Sequence, residues 1–451
     1  MKSVSKAVVT VVAAGMLAAC GGGGAGGGDS AGKNNSSPSA EKSPTPSVKA
    51  PKGFDTSKGW QQTVSWPDDQ GTTLPVGAAP EAGVVAFLQK RGADYVVEAR
   101  DAVTGAPRWS GKAWQPPAPG KNVAADASHL PQLLVVNHDD REYIAVWAHA
   151  PSFTEGEGTF SLLLYPADSS GKEISPARTF SVPMDADGKP TVVDDMKGIA
   201  VRWEESNNTP HTTSIDLSTA RVTTYDEVEL PCGEDVLGPC RGEVEALSSD
   251  GPVVQLGAFG GFGVPGVWHA GDAVPPGGEI HNSKYKSGRV MDVLGGQVLL
   301  TSWFLEDGLG NESVKAVHDL KSGKLVASTP CKSDSERSYS PALSPDGRYA
   351  VWDTVAVDLE KGKAYCFAEG VEDEEFVHLV SVADGIAYGY TGPSGDFERV
   401  RVSVTLDTGK VEKLPQGTEV PSLLLPKAGG FSLQLADDNV AGRQFIFHPR
   451  R

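Results

Sequence analysis

The stretch Tyr95-Val96-Val97-Glu98-Ala99-Arg100-Asp101-Ala102-Val103-Thr104-Gly105-Ala106-Pro107-Arg108-Trp109 decides the reading of this chain. An apolar, β-branched run enters an Asp-x-x-Thr-Gly turn, and a second short run ends on Trp. The chemistry is local. The Asp carboxylate accepts hydrogen bonds from turn backbone, Thr assists, and Gly supplies a positive φ before the next strand starts. The unit recurs at Asp319-Leu320-Lys321-Ser322-Gly323-Lys324 and at Asp358-Leu359-Glu360-Lys361-Gly362-Lys363. Asp407-Thr408-Gly409-Lys410 is a shortened copy. Degenerate ones stand at Asp168-Ser169-Ser170-Gly171-Lys172 and Asp216-Leu217-Ser218-Thr219-Ala220. The starts at 101, 168, 216, 319, 358 and 407 are spaced by 67, 48, 103, 39 and 49 residues. Reading the 103-residue gap as two periods, with an eroded copy near 265, gives a mean period of 51.

No long amphipathic helix is evident after Asp55. Short β-branched runs alternate with Asp/Gly turns, among them Val84-Leu88, Leu133-Val136, Tyr143-Val146, Gly198-Trp203, Val298-Trp303 and Val400-Thr405, which is the all-β pattern. A period of about four short strands describes a propeller blade. Trp60 to Arg451 spans 392 residues, about 7.7 periods. The expected fold is therefore an all-β, eight-bladed β-propeller, with seven blades as the alternative. In the eight-bladed count the last blade combines Ser422-Leu425, Phe431-Leu435 and Gln444-His448 with an N-terminal strand near Gln61-Trp66, which protects the edge strands.

The unit at 95–109 resembles the PQQ-like (quinoprotein-type) β-propeller repeat, and looser copies lie at 314–326 and 355–367. Ser344-Pro345-Asp346-Gly347-Arg348-Tyr349-Ala350 instead looks like the turn of TolB-like and WD40-like propellers. The resemblance covers about 390 residues as architecture and three repeats as sequence. In outline it extends to the scaffold lipoprotein of the outer-membrane assembly machine. Quinone-binding members of the family carry a vicinal cysteine pair, a calcium site and a catalytic Asp. This chain has no Cys-Cys pair, so neither quinone nor any other cofactor is expected.

The N-terminus reads as an export signal. Lys2 and Lys6 precede an apolar run, Ala7 to Ala14, that is too short to span a bilayer. Leu17-Ala18-Ala19-Cys20 resembles the lipobox of bacterial lipoproteins, in which the cysteine is acylated with palmitate-type chains. The alternative is an ordinary signal peptide that happens to contain Cys20. The expected organisation is a lipoprotein signal peptide over 1–19, a lipid-anchored Gly/Ser/Pro-rich disordered linker over 20–54, and one propeller domain over 55–451. Removing the signal also removes Lys2 and Lys6, taking the formal charge from -18 to -20. So acidic a chain is a poor nucleic-acid binder, whose affinity rests on neutralising phosphates. The implied location is the outer face of the cell membrane.

Few residues suggest chemistry. Cys232, Cys240, Cys331 and Cys366 are an even set in an exported chain and read as disulfides. Cys232 with Cys240 would staple one acidic loop. Cys331 and Cys366 both follow a repeated turn and would join equivalent strands of neighbouring blades. The nine histidines form no close ligand pair, and there is no Gly-x-Ser-x-Gly elbow or Walker-type loop. His138-Asp139-Asp140-Arg141-Glu142 reads as a solvated hairpin turn, and the acidic run 369–375 as a surface loop. No catalytic residue and no metal ligand is nominated. Phe259, Phe262 and Trp268 lie among glycines where a turn copy is missing. They either fill the core of an eroded blade or present a binding surface.

These readings favour a non-catalytic envelope lipoprotein, monomeric, whose propeller binds an envelope protein or polymer as a scaffold. The alternatives are an extracytoplasmic sensor of a small ligand or glycan, or a propeller hydrolase or lyase. A sensor would show a concave pocket, and a scaffold a flat apolar face.

Overall fold

The computed structural model describes residues 48–66, 75–120, 130–152, 158–186, 188–205, 209–230, 240–256, 261–278, 288–305, 312–332, 340–368, 376–391, 399–425, 427–435 and 443–451. Residues 1–47, which hold the expected signal peptide, Cys20 and most of the expected linker, lie outside them.

The repeats fold into eight antiparallel sheets around an axis, an eight-bladed β-propeller. The first blade uses Val76–Ala79, Val84–Arg91, Asp94–Asp101 and Pro107–Ser110. The second runs over 132–183, the third over 191–225, the fourth over 228–269, the fifth over 288–332, the sixth over 342–366 and the seventh over 377–413. The eighth takes Pro421–Leu425, Gly429–Leu435 and Arg443–Pro449, and completes itself with Trp60–Val64 from the other end of the chain. Trp60 pairs with Phe447 and Val64 with Arg443. This is the closure expected from sequence. Apart from a 3-10 turn at Ala270–Asp272, the described residues contain no helix.

The turns behave as their chemistry dictates. The Asp101 carboxylate accepts the backbone N–H of Thr104 at 2.9 Å and its hydroxyl at 2.8 Å. Asp319 accepts the Ser322 N–H at 2.7 Å, and Asp358 accepts the Lys361 N–H at 3.1 Å. Asp139 and Asp140 form a two-residue hairpin turn with φ of 49° and 56°. Glycine has a second reason to be in the repeated turn. The Trp60 indole N–H donates to the Ala102 carbonyl at 3.2 Å, and a Cβ on Gly105 would lie 2.6 Å from that ring. Trp268 does the same at the seam between the fourth and fifth blades. It donates to the Lys321 carbonyl at 3.1 Å, and a Cβ on Gly323 would lie 2.4 Å from its ring. Trp109 donates to the Ala167 carbonyl of the second blade at 3.1 Å. Each tryptophan sits on the outermost strand of one blade and docks on the turn of the next, so one residue type both closes a blade and staples a seam.

The folded region starts before residue 55. Phe54 is buried against Tyr388, with the Arg450 guanidinium over its ring. The Glu419 N–H donates to the Lys49 carbonyl, and the Arg451 N–H to the Gly53 carbonyl. Composition alone puts residues 48–54 in the linker. Phe54 supplies the apolar area that ties this segment across the seventh and eighth blades.

Cys331 and Cys366 form a disulfide between the outermost strands of the fifth and sixth blades. Cys232 and the acidic run 369–375 lie outside the described residues. Cys240 opens the strand Cys240–Ser248.

Candidate functional site

The two faces of the ring are built differently. On one, first-to-second-strand turns are mostly short, such as 139–140, 196–197, 249–250 and 384–385. The other carries the strand ends that longer stretches of chain separate, such as Ser110 and Gln132, Leu230 and Cys240, His269 and Gly288, and Lys332 and Ala342. Long connections on a rigid scaffold are where binding residues concentrate.

One blade breaks the regular stacking. Elsewhere, innermost strands lie side by side. A Cβ on Gly77 of the first blade would meet Leu133 and Val135 of the second, and the Ser381 hydroxyl of the seventh blade donates to the Pro421 carbonyl of the eighth. The fourth blade stands back. Its strand Cys240–Ser248 bonds to the second and third strands of the third blade, through an Arg202–Glu245 ion pair and a Thr212 hydroxyl donating to the Val244 carbonyl. On the short-turn face the third and fifth blades then meet directly, where a Cβ on Gly296 would lie 3.1 Å from the Asp195 carbonyl. A β-bulge between Val244 and Ala246 gives Glu245 its extra place in the strand, as bulges do next to many sites.

Toward the long-connection face the withdrawn blade leaves a cleft. One compartment, of ≈ 390 Å³, is walled by Lys189, Thr191, Trp203, Glu204, His211 and Thr212. The next, of ≈ 340 Å³, is walled by Gln255, Arg289, Val290 and Met291. Arg202, Glu243 and Glu245 line both. The Trp203 ring stacks on His211 with centroids 4.4 Å apart, and its N–H donates to the Thr213 hydroxyl at 3.2 Å. His211 is fixed in turn. Its Nδ1 lies 3.0 Å from Asp226 and its Nε2 3.3 Å from Glu205. Gln255 spans the seam to the fifth blade, donating to the Gly288 carbonyl at 3.4 Å and accepting the Val290 N–H at 2.7 Å. The walls are therefore set before any ligand arrives.

The electrostatics are mixed. Partial burial pushes the Glu243 carboxyl up, and Glu245, Glu204 and Glu227 push it the same way, while Arg202 pulls it down. Burial likewise raises Asp292, which accepts the Val293 N–H at 2.8 Å. Among the described residues no group of three or more His, Cys, Asp or Glu could hold a metal ion.

The aromatics singled out from sequence are not part of this cleft. Phe262 is 0% and Trp268 7% exposed. Phe262 packs on Trp268, Trp303 and His318 in the core shared by the fourth and fifth blades. As a binding surface these two are corrected to core, because the glycines around them bring backbone close rather than opening the blade. Phe259 lies outside the described residues. The cleft residues gave little signal in sequence. Trp203 ended a strand run and His211 looked like a solitary histidine. Glu243 and Glu245 sat in a strand whose charged, alternating character was the one available hint.

No family model matches the chain, and no curated protein matches it. Solved structures similar to it include an uncharacterized protein of Listeria monocytogenes EGD-e, at 8% identity over 86% of this chain and 91% of that one, TM-score 0.35. A putative 6-phosphogluconolactonase from Bacteroides fragilis NCTC 9343 shares 12% identity over 80% and 90%, TM-score 0.35. TolB from Acinetobacter baumannii shares 12% over 84% and 86%, TM-score 0.25. Likenesses this distant carry no functional conclusion, and the eight-bladed fold rests on the strand pairing itself.

Proposed function

We propose that this chain is a lipid-anchored, extracytoplasmic binding protein without catalytic activity, whose propeller takes a small polar ligand in the cleft beside the fourth blade. The observation that carries the reading is the recession of that blade. It leaves a concave, polar, pre-positioned site of the size ligands occupy. The large apolar residues exposed among those described, Val103, Val267, Met291 and Phe304, include only one aromatic, which favours ligand binding over docking of a protein through an aromatic patch. The tryptophan staples on the repeated turns support the PQQ-like resemblance as the lineage of the fold, now serving binding. Cys20 provides the anchor, with more than one acyl chain needed for stable attachment.

Two experiments test this. Metabolic labelling with a palmitate analogue should mark the chain and place it in the membrane fraction, and Cys20→Ala should lose both; a soluble, unlabelled wild-type chain would contradict the anchor. Thermal shift of the full chain against a library of small polar solutes should find stabilising ligands whose effect disappears in Glu243→Ala. A library with no stabilising member, together with a stable protein partner in crosslinked cells, would replace this reading with the scaffold one.

A further inference from the structure

The cleft also specifies a class of ligand. Its lining carries three carboxylates, Glu204, Glu243 and Glu245, and three fixed cations, Lys189, Arg202 and Arg289. The formal charges cancel, so a ligand with net charge gains little from the site as a whole. Most of the charged groups are planar side chains that can engage two neighbouring hydroxyls at once. Trp203 adds an indole to one wall, held by Thr213 and backed by His211. An aromatic wall with planar bidentate groups suits a ring that is apolar on its C–H faces and polar at its rim. The two compartments sit side by side and share Arg202, Glu243 and Glu245, so a ligand filling both is elongated, with the shared residues at its middle. From this we infer that the ligand is an uncharged glycan segment of at least two sugar units, one in each compartment. The inference rests on the binding function proposed above and adds the class to it.

The test is calorimetric titration of the full chain with neutral oligosaccharides of one to four units, at low and high salt, in parallel with a polyamine and an acidic oligosaccharide. A neutral oligosaccharide should bind, and its disaccharide should bind about tenfold or more tighter than the monosaccharide. Affinity should hold across the salt range, because screening acts on charged ligands. Glu243→Ala and Arg289→Ala should each weaken it about tenfold, while Lys410→Ala on the distant seventh blade should not. Equal affinity for one and two units would overturn the two-compartment assignment. Salt-sensitive binding of the polyamine or the acidic oligosaccharide alone, lost in Glu243→Ala or Arg289→Ala, would overturn the class and leave the binding function standing. Sugar binding unaffected by both variants would place the site elsewhere. Failure of every probe, beside a negative solute library, would remove both readings.

Discussion

Gly323 and Gly409 occupy the same place in two copies of one turn, with φ of 68° and 67°. They differ in what lies above them. A Cβ on Gly323 would meet the Trp268 ring at 2.4 Å, whereas nothing lies within 4 Å of one on Gly409. Gly409→Ala should therefore cost only the left-handed backbone, about 1 kcal/mol. Gly323→Ala must also displace an indole wedged between blades, adding about 1–3 kcal/mol. Urea unfolding of the two variants checks the ordering, and equal losses would contradict the staple. A second residue-scale case is Asp194, buried on the innermost strand of the third blade with its Oδ1 unpartnered. Burial raises its carboxyl well above the usual range, and neighbouring Asp195 adds to the effect. Burial also raises Asp195 to about 6, although Lys197, Gly198 and Leu247 donate their N–H groups to it. For an acid whose folded value is raised, the folded state holds the proton longer. Stability is fully present below the ordinary value and declines as pH rises toward the folded one. Asp194→Asn removes that decline, so the gain of the variant over wild type should grow as pH rises from about 4 upward. A gain that is flat in pH, or a loss, would contradict the burial account.

At the scale of elements, the fifth and sixth blades meet through their outer strands. Leu300, Val317, Ala327, Trp352, Val355 and Val357 form the buried cluster there, and the disulfide of Cys331 with Cys366 spans it. The sixth blade is small, with an inner strand of two residues, Ala342–Leu343, and the covalent tie holds its outermost strand to the fifth blade. Closing a loop with a sequence separation of 35 restrains the unfolded chain by about 3–4 kcal/mol. Replacing both cysteines by serine should lower unfolding stability by about that much, and reductant should then have no further effect on this seam. How much was legible in sequence also divides at this scale. The repeated turns, the hairpin at Asp139-Asp140, the Cys331–Cys366 tie and the N-terminal strand of the last blade are set by neighbours in the chain or by the repeat, and all could be read from residues. The eroded copy expected near 265 is a Pro265-Gly266-Val267 turn with Gly266 at φ 76°, still followed by its tryptophan. What could not be read is how far each blade sits from the axis. That depends on packing between sheets, such as Phe262 filling the space beside Gly288 and Trp303. The cleft is a product of that packing, and its residues come from three blades with no common motif.

The propeller is a ring closed twice, by Trp60–Val64 in the last blade and by the segment ending at Phe54 across the last seam. Phe54→Ala would leave a cavity between the seventh and eighth blades and should cost about 3–5 kcal/mol. Limited proteolysis of the N-terminal segment should then speed up, whereas unchanged proteolysis would mean that the segment does not hold the ring. The closure lies away from the cleft, so this variant should keep ligand affinity while losing stability. The ring is asymmetric, and the withdrawn fourth blade leaves its cleft. The most direct test is native mass spectrometry of the full chain purified from the cells that make it, beside Glu243→Ala purified in the same way. A small polar adduct on the wild-type chain that is missing from Glu243→Ala is the predicted result. An adduct retained unchanged by the variant would contradict the claim that the cleft beside the fourth blade is where this protein binds.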